Sequence, residues 1–133
     1  MKNIAYIMRG VPGSGKSTVA RQIAGDVGVI HSTDSFLHVN GEYKFDPKKL
    51  KEYHEKNFED FKKSIEEGKP IVICDNTNIQ RWEFEPYQKI AEENGYIVAI
   101  VSMPHPDPEV AEDRTEHSVP AKSIQNMINR WEE

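Results

Sequence analysis

Gly10-Val11-Pro12-Gly13-Ser14-Gly15-Lys16-Ser17 satisfies the pattern G-x-x-x-x-G-K-[ST] at every fixed position. Glycines at this spacing let consecutive backbone N–H groups turn inward around an anion, and a helix beginning near Lys16 adds the positive end of its dipole. In such a loop Lys16 reaches the terminal phosphates of a nucleotide and the Ser17 hydroxyl a magnesium ion. The flanks supply the context that the motif requires. Ile4 to Met8 is a short apolar run that reads as a buried strand, and Val19, Ala20, Ile23 and Ala24 recur at helical spacing between Ser17 and Asp26, ahead of Gly25. Strand, glycine loop and helix follow in the right order.

The rest of the chain sets bounds. At 133 residues it is read as one domain, residues 1–133, with a single core. No apolar run approaches the roughly 20 residues needed to span a bilayer. Met1-Lys2-Asn3 runs straight into the first strand without a signal-peptide core, so a cytoplasmic protein without membrane contact is expected. The single cysteine, Cys74, excludes an internal disulfide and reads as a small buried hydrophobe rather than a nucleophile. A net charge of −5 argues against nonspecific coating of nucleic acid, while leaving room for a small basic site.

Beyond the first helix, Val27 to His31 reads as a second strand running into Ser32-Thr33-Asp34. Ligands of open α/β sheets bind beyond the carboxyl ends of the strands, which would turn Asp34 toward the glycine loop. A cap for a turn or helix is the other reading of Asp34. Asn40-Gly41-Glu42-Tyr43 looks like a turn, and Asp46-Pro47 like an N-cap and first helical residue. The helix they open carries Leu50, Tyr53, Phe58, Phe61 and Ile65 as its apolar stripe and ends at Gly68, its interleaved lysines and glutamates forming a solvated face.

Ile71-Val72-Ile73-Cys74 is a third strand of the kind buried on both faces, and it delivers Asp75-Asn76-Thr77-Asn78 to the same sheet edge. These polar residues could be a turn cluster. With the loop in place a site is favoured, in which Asp75 joins Ser17 on the metal and the group meets substrate hydroxyls. Trp82 to Asn94 is a helix, and Tyr96 to Val101 a fourth strand. The proline-rich Pro104 to Pro108 is a loop opening a mobile segment that brings Arg114, and His117 with it, toward the phosphates. A last helix, about Pro120 to Trp131, carries Ile124, Met127, Ile128 and Trp131. Strands alternating with helices imply a parallel sheet with right-handed crossovers.

No Asn-Lys-x-Asp segment is present to select guanine, and the chain lacks the length of a mechanical ATPase. A compact domain with a cationic closing segment suits transfer of a γ-phosphoryl group to a hydroxyl. Lys16 would hold the donor, Arg114 would neutralise developing charge, and Asp34 would take the hydroxyl proton.

Taken together, the loop, Ser32-Thr33-Asp34, Gly41 to Pro47, Asp75 to Asn78, Trp82-Glu83, Pro86-Tyr87 and Arg114 to Pro120 resemble, in this order, P-loop kinases similar to polynucleotide 5′-hydroxyl kinase. The resemblance implies an α/β P-loop NTPase three-layer sandwich: a small parallel sheet, helices on both faces and a C-terminal lid. It implies ATP and Mg2+, bound through Gly10, Pro12, Gly13, Ser14, Gly15, Lys16, Ser17 and Thr18 with Arg114 from the lid. It also implies a DNA or RNA 5′ end as acceptor, Asp34 as general base, and Thr77 and Asn78 on the acceptor side. Where the phage-type enzyme has an arginine three residues after the base, Leu37 stands here, and no second lid arginine is evident near His117. No Asp-x-Asp-x-Thr segment of a phosphatase half is present.

Phe36, Tyr43, Arg81 and Trp82 are available to stack on or hold a strand end, or to pack. Two other functions fit the same loop. One is phosphorylation of a small-molecule hydroxyl on a nucleoside, sugar or similar compound. The other is a slow nucleotide-binding module that regulates a partner.

Overall fold

The computed structural model describes residues 2–39, 41–115 and 119–133. Asn40, His117 and the side chain of Tyr43, all named above, lie outside what is described. In chain order the elements are β1 (Ile4–Arg9), α1 (Lys16–Ala24), β2 (Val29–His31), a 3₁₀ helix (Thr33–Leu37), β3 (His38–Val39), β4 (Glu42–Tyr43), α2 (Leu50–Glu66), β5 (Ile71–Asp75), α3 (Arg81–Glu93), β6 (Ile97–Ser102), α4 (Pro108–Arg114) and α5 (Ala121–Asn129).

Four strands form one parallel sheet in the order β2-β5-β1-β6. The register places Met8 opposite Asp75 and Arg9 opposite Ser102, so the chain leaves β1 and β5 side by side. Strand alternation divides the core. Ala5 and Ile7 of β1, with Val72 and Cys74 of β5, meet Phe61 and Ile65 of α2 and Phe84, Tyr87 and Ala91 of α3 on one face. Met8 and Ile73 meet Ala20 and Ala24 of α1 on the other. A third cluster of Val11, Ile79, Ala111 and Ile124 ties α4 and α5 to the glycine loop. Among the described residues no helix is long and apolar enough to cross a membrane.

Three local readings change. The long helix begins at Leu50 rather than at Asp46-Pro47, because Asp46 Oδ1 accepts from the Lys48 N–H at 3.0 Å and closes a separate turn first. The Gly41 turn, with φ +81°, joins two short antiparallel strands, β3 and β4. The segment after β6 is not loop throughout. Asp107 accepts from the Glu109 N–H at 2.9 Å and Pro108 takes the first helical position, so α4 starts there and Arg114 ends a helix packed on the core.

Candidate functional site

The loop between β1 and α1 is shaped by backbone demands that glycine meets. Gly13 and Gly15 adopt φ of +80° and +90°, where a side chain is strained. At Gly13 space is also lacking, since a Cβ would lie 2.5 Å from the Ala111 carbonyl oxygen of α4. No side chain caps the N-terminus of α1 and no acidic residue occupies its first turn, so its leading N–H groups are left for an external anion. The Ser14 Oγ is buried without a hydrogen-bond partner, a second group in the loop that awaits an acceptor or donor. These features fit a bound polyphosphate.

Asp75, the last residue of β5 and 5% exposed, receives two groups from the loop: Lys16 Nζ lies 2.9 Å from its Oδ1, and Ser17 Oγ donates to its Oδ2 at 2.9 Å. Two distant stretches of sequence thus converge through strand register. Ser17 and Asp75 could hold a divalent cation. Among the described residues there is no group of three or more His, Cys, Asp or Glu around it.

Asp34 faces the same open cleft, of about 640 Å³, which is lined by Pro12, Gly13, Gly15, Lys16, Ser17 and Thr18 of the loop, by Asp75 and Thr77, and by Arg114 of α4. The 3₁₀ helix that carries Asp34 is held on two sides. Asn76 Oδ1 accepts from the Thr33 N–H at 2.9 Å, and the Thr33 hydroxyl pairs with His54 Nδ1 of α2 at 3.1 Å. Burial lowers the pKa of His54, with Glu83 and Asp34 opposing. Leu37 lies one 3₁₀ turn after Asp34 and lines the cleft with it.

Two expected site residues are elsewhere. Asn78 is buried at 1% exposure with φ +48°, and its amide donates to the Met8 carbonyl at 2.7 Å, which ties it to the sheet instead of the acceptor. Arg81 opens α3, its backbone N–H on Glu132 Oε1 at 3.3 Å, and does not line the cleft. Nor do Phe36, stacked on Tyr53 at 5.7 Å, and Trp82, 70% exposed on α3. Cys74 behaves as the hydrophobe it resembles, its thiol pushed up to about 12 by burial.

Other residues escaped sequence reasoning. Arg21, one helical turn after Ser17, lines the cleft, as do Phe45, Leu50 and His54. Leu50 and His54 share a helix face at i, i+4, a signal obscured because Leu50 also fits the core stripe. Arg9 is buried at 3% exposure between the rings of Phe84 and Trp131, 4.5 and 4.2 Å from its guanidinium. It donates to the carbonyls of Asn78, Ile79 and Glu132, fastening the C-terminal segment behind the cleft. Burial and neighbouring Arg81 lower its pKa.

A model of the AAA domain family matches residues 6–133. NEDD4-binding protein 2 of Homo sapiens is 36% identical over 137 residues, which cover 97% of this chain and 8% of that protein. A chain of the solved Pnkp1/Rnl/Hen1 RNA repair complex superposes with a TM-score of 0.75 at 20% identity, over 97% of this chain and 44% of that one. Kti12 of Chaetomium thermophilum, in complex with ADP-AlF3, superposes with a TM-score of 0.66 at 17% identity, over 97% and 80% of the two chains. The fold is that of a small P-loop kinase, an α/β nucleotide-binding architecture.

Proposed function

The chain belongs to the AAA domain family with a P-loop kinase-like fold, and from that premise we propose that it transfers the γ-phosphoryl group of ATP to the 5′-hydroxyl end of DNA or RNA. The observation that carries the reading is the shared cleft: Asp34 lines it together with the glycine loop, Lys16, Asp75 and Arg114. Lys16 leaves Asp75 for the donor phosphates and Arg114 supports the charge that spreads over the transferred group. Ser17 and Asp75 would hold Mg2+, which would neutralise phosphate charge. Asp34 accepts the proton of the acceptor hydroxyl, whose oxygen bonds to the γ-phosphorus as the bond to the β–γ bridging oxygen breaks and ADP departs. The likeness to a chain of an RNA repair complex supports a polynucleotide acceptor.

A second reading, phosphorylation of a small-molecule hydroxyl, is favoured by one observation: no lysine or arginine among the described lining residues stands beside Asp34 on the 3₁₀ helix or α2. The test is incubation with γ-labelled ATP and a 5′-hydroxyl oligonucleotide, a nucleoside pool, or buffer alone. Label is expected in the oligonucleotide. Label in small molecules alone moves the reading to the second, and ATP binding without label in any acceptor leaves a regulatory nucleotide-binding module.

A further inference from the structure

The cleft divides by charge. Among the described lining residues the lysine and arginines, Lys16, Arg21 and Arg114, belong to the loop, α1 and α4, while the 3₁₀ helix, the segment after β4 and α2 contribute Asp34, Leu37, Phe45, Leu50 and His54. Leu37 is 1% exposed and forms a floor. The Lys44 N–H donates to its carbonyl at 2.6 Å, which sets the adjoining Phe45 beside the end of the 3₁₀ helix. Phe45 is 58% exposed although it lines a cleft. Trp82 is more exposed, but it stands on α3 outside the cleft with its Nε1–H donated to Gln80 Oε1 at 2.8 Å. An uncovered aromatic ring in the cleft that Asp34 also lines, on a side to which no lysine or arginine among the described lining residues belongs, is suited to a π-face and poorly suited to an anion.

We propose that Phe45 binds the acceptor by stacking on the nucleobase next to the hydroxyl that receives phosphate. This rests on the phosphotransfer reading above and deepens it: the acceptor carries a base, and the base rather than a phosphate supplies the grip on that wall. Stacking tolerates any base, so the site would accept ends of different sequence. A polynucleotide end and a free nucleoside share the recognised chemistry, and the comparison of acceptors separates them.

The experiment compares wild type, Phe45→Ala and Phe45→Trp on three acceptors: a 5′-hydroxyl oligonucleotide, the same oligonucleotide with an abasic 5′-terminal residue, and the matching nucleoside. Phe45→Ala is expected to raise the KM for the intact oligonucleotide on the order of 10-fold while leaving the KM for ATP unchanged, and Phe45→Trp to restore it. The abasic end should show the same loss with wild type, and no further loss with Phe45→Ala, because the two changes remove one interaction. Phosphorylation of the nucleoside with comparable efficiency would identify a nucleoside acceptor with the same stacking contact. An unchanged acceptor KM in Phe45→Ala, or an abasic end used as well as the intact one, overturns the proposal. If wild type labels no acceptor, the phosphotransfer reading fails. Oligonucleotide affinity by fluorescence anisotropy then decides the stacking contact by itself, with equal Kd for wild type and Phe45→Ala overturning it.

Discussion

The two walls of the cleft are built by different means. One wall comes chiefly from a single stretch, Val11 to Arg21, joined by Arg114 of α4, and its shape follows from positive φ at Gly13 and Gly15 and from the uncapped start of α1. The other collects Asp34 and Leu37 from a 3₁₀ helix, Phe45 from the segment after a two-stranded hairpin, and Leu50 and His54 from α2. The first presents backbone N–H groups and charge, the second side chains held by tertiary contacts such as Asn76 to Thr33 and Thr33 to His54. A site made by backbone conformation can be damaged by a change of one methyl group. A site made by packed side chains is damaged through its supports.

The largest effects should separate the walls. Asp34→Asn keeps the size of the side chain and removes the base, so kcat should fall on the order of 10²- to 10⁴-fold. Nucleotide affinity by calorimetry should be unchanged, because among the described residues Lys16 and Ser17 of the loop bond to Asp75 rather than to Asp34. Lys16→Ala should lower transfer on the order of 10²- to 10³-fold and weaken nucleotide binding as well, since its ammonium is the loop's own cation. A loss of ATP affinity in Asp34→Asn equal to that in Lys16→Ala would show that the walls act as one unit.

Two glycines with nearly the same dihedral give a smaller and more local contrast. Gly13, φ +80°, has the Ala111 backbone where a Cβ would go, with the carbonyl oxygen at 2.5 Å and Cα at 2.8 Å, whereas Gly41, φ +81°, has nothing within 4 Å. Alanine at Gly41 should cost about 1 kcal/mol of backbone strain. Alanine at Gly13 adds the displacement of α4, for about 2–3 kcal/mol in total and weaker nucleotide binding. Thermal melts and nucleotide titrations of both variants check this; equal losses would mean that α4 yields freely and that its approach to the loop is not a structural constraint.

The same distinction explains what could be read from the sequence. The loop, α1 and the parallel strands were legible because glycine spacing and apolar periodicity are local signals, and strand alternation then brings Asp75 to Lys16. Asn78 was misplaced because a polar residue after a buried strand has the same appearance whether it faces a ligand or a backbone carbonyl such as that of Met8. Arg9 reads as the end of a strand; its burial between Phe84 and Trp131 depends on a segment more than a hundred positions away in the chain. Phe45 carries no periodic signal at all. It stands outside every helix and strand, and only the folded chain brings it, uncovered, to the cleft that Asp34 lines.

The smallest effect tests whether the side-chain wall loosens on its own. His31 ends β2, just before the 3₁₀ helix; its Nε2 pairs with Ser64 Oγ of α2 at 2.8 Å, and its ring stands edge-on to Phe61 with centroids 6.0 Å apart. Burial lowers its pKa, with Asp60 opposing, so the unfolded chain takes up a proton before the folded one does. The stability that depends on neutral His31 is therefore complete above the unfolded value of about 6.5 and is lost as pH falls through the lower folded value. Because the ring is only partly buried, the loss should be less than about 1 kcal/mol between pH 7.5 and 5.5. His31→Gln removes the titration and retains a partner for Ser64, so its Tm should fall less than that of wild type over the same range. Hydrogen exchange at pH 5.5 should quicken in residues 33–37 of wild type before residues 10–17. Parallel Tm curves for the two proteins would exonerate His31, and simultaneous exchange of both segments would show that the two walls, however differently built, open together.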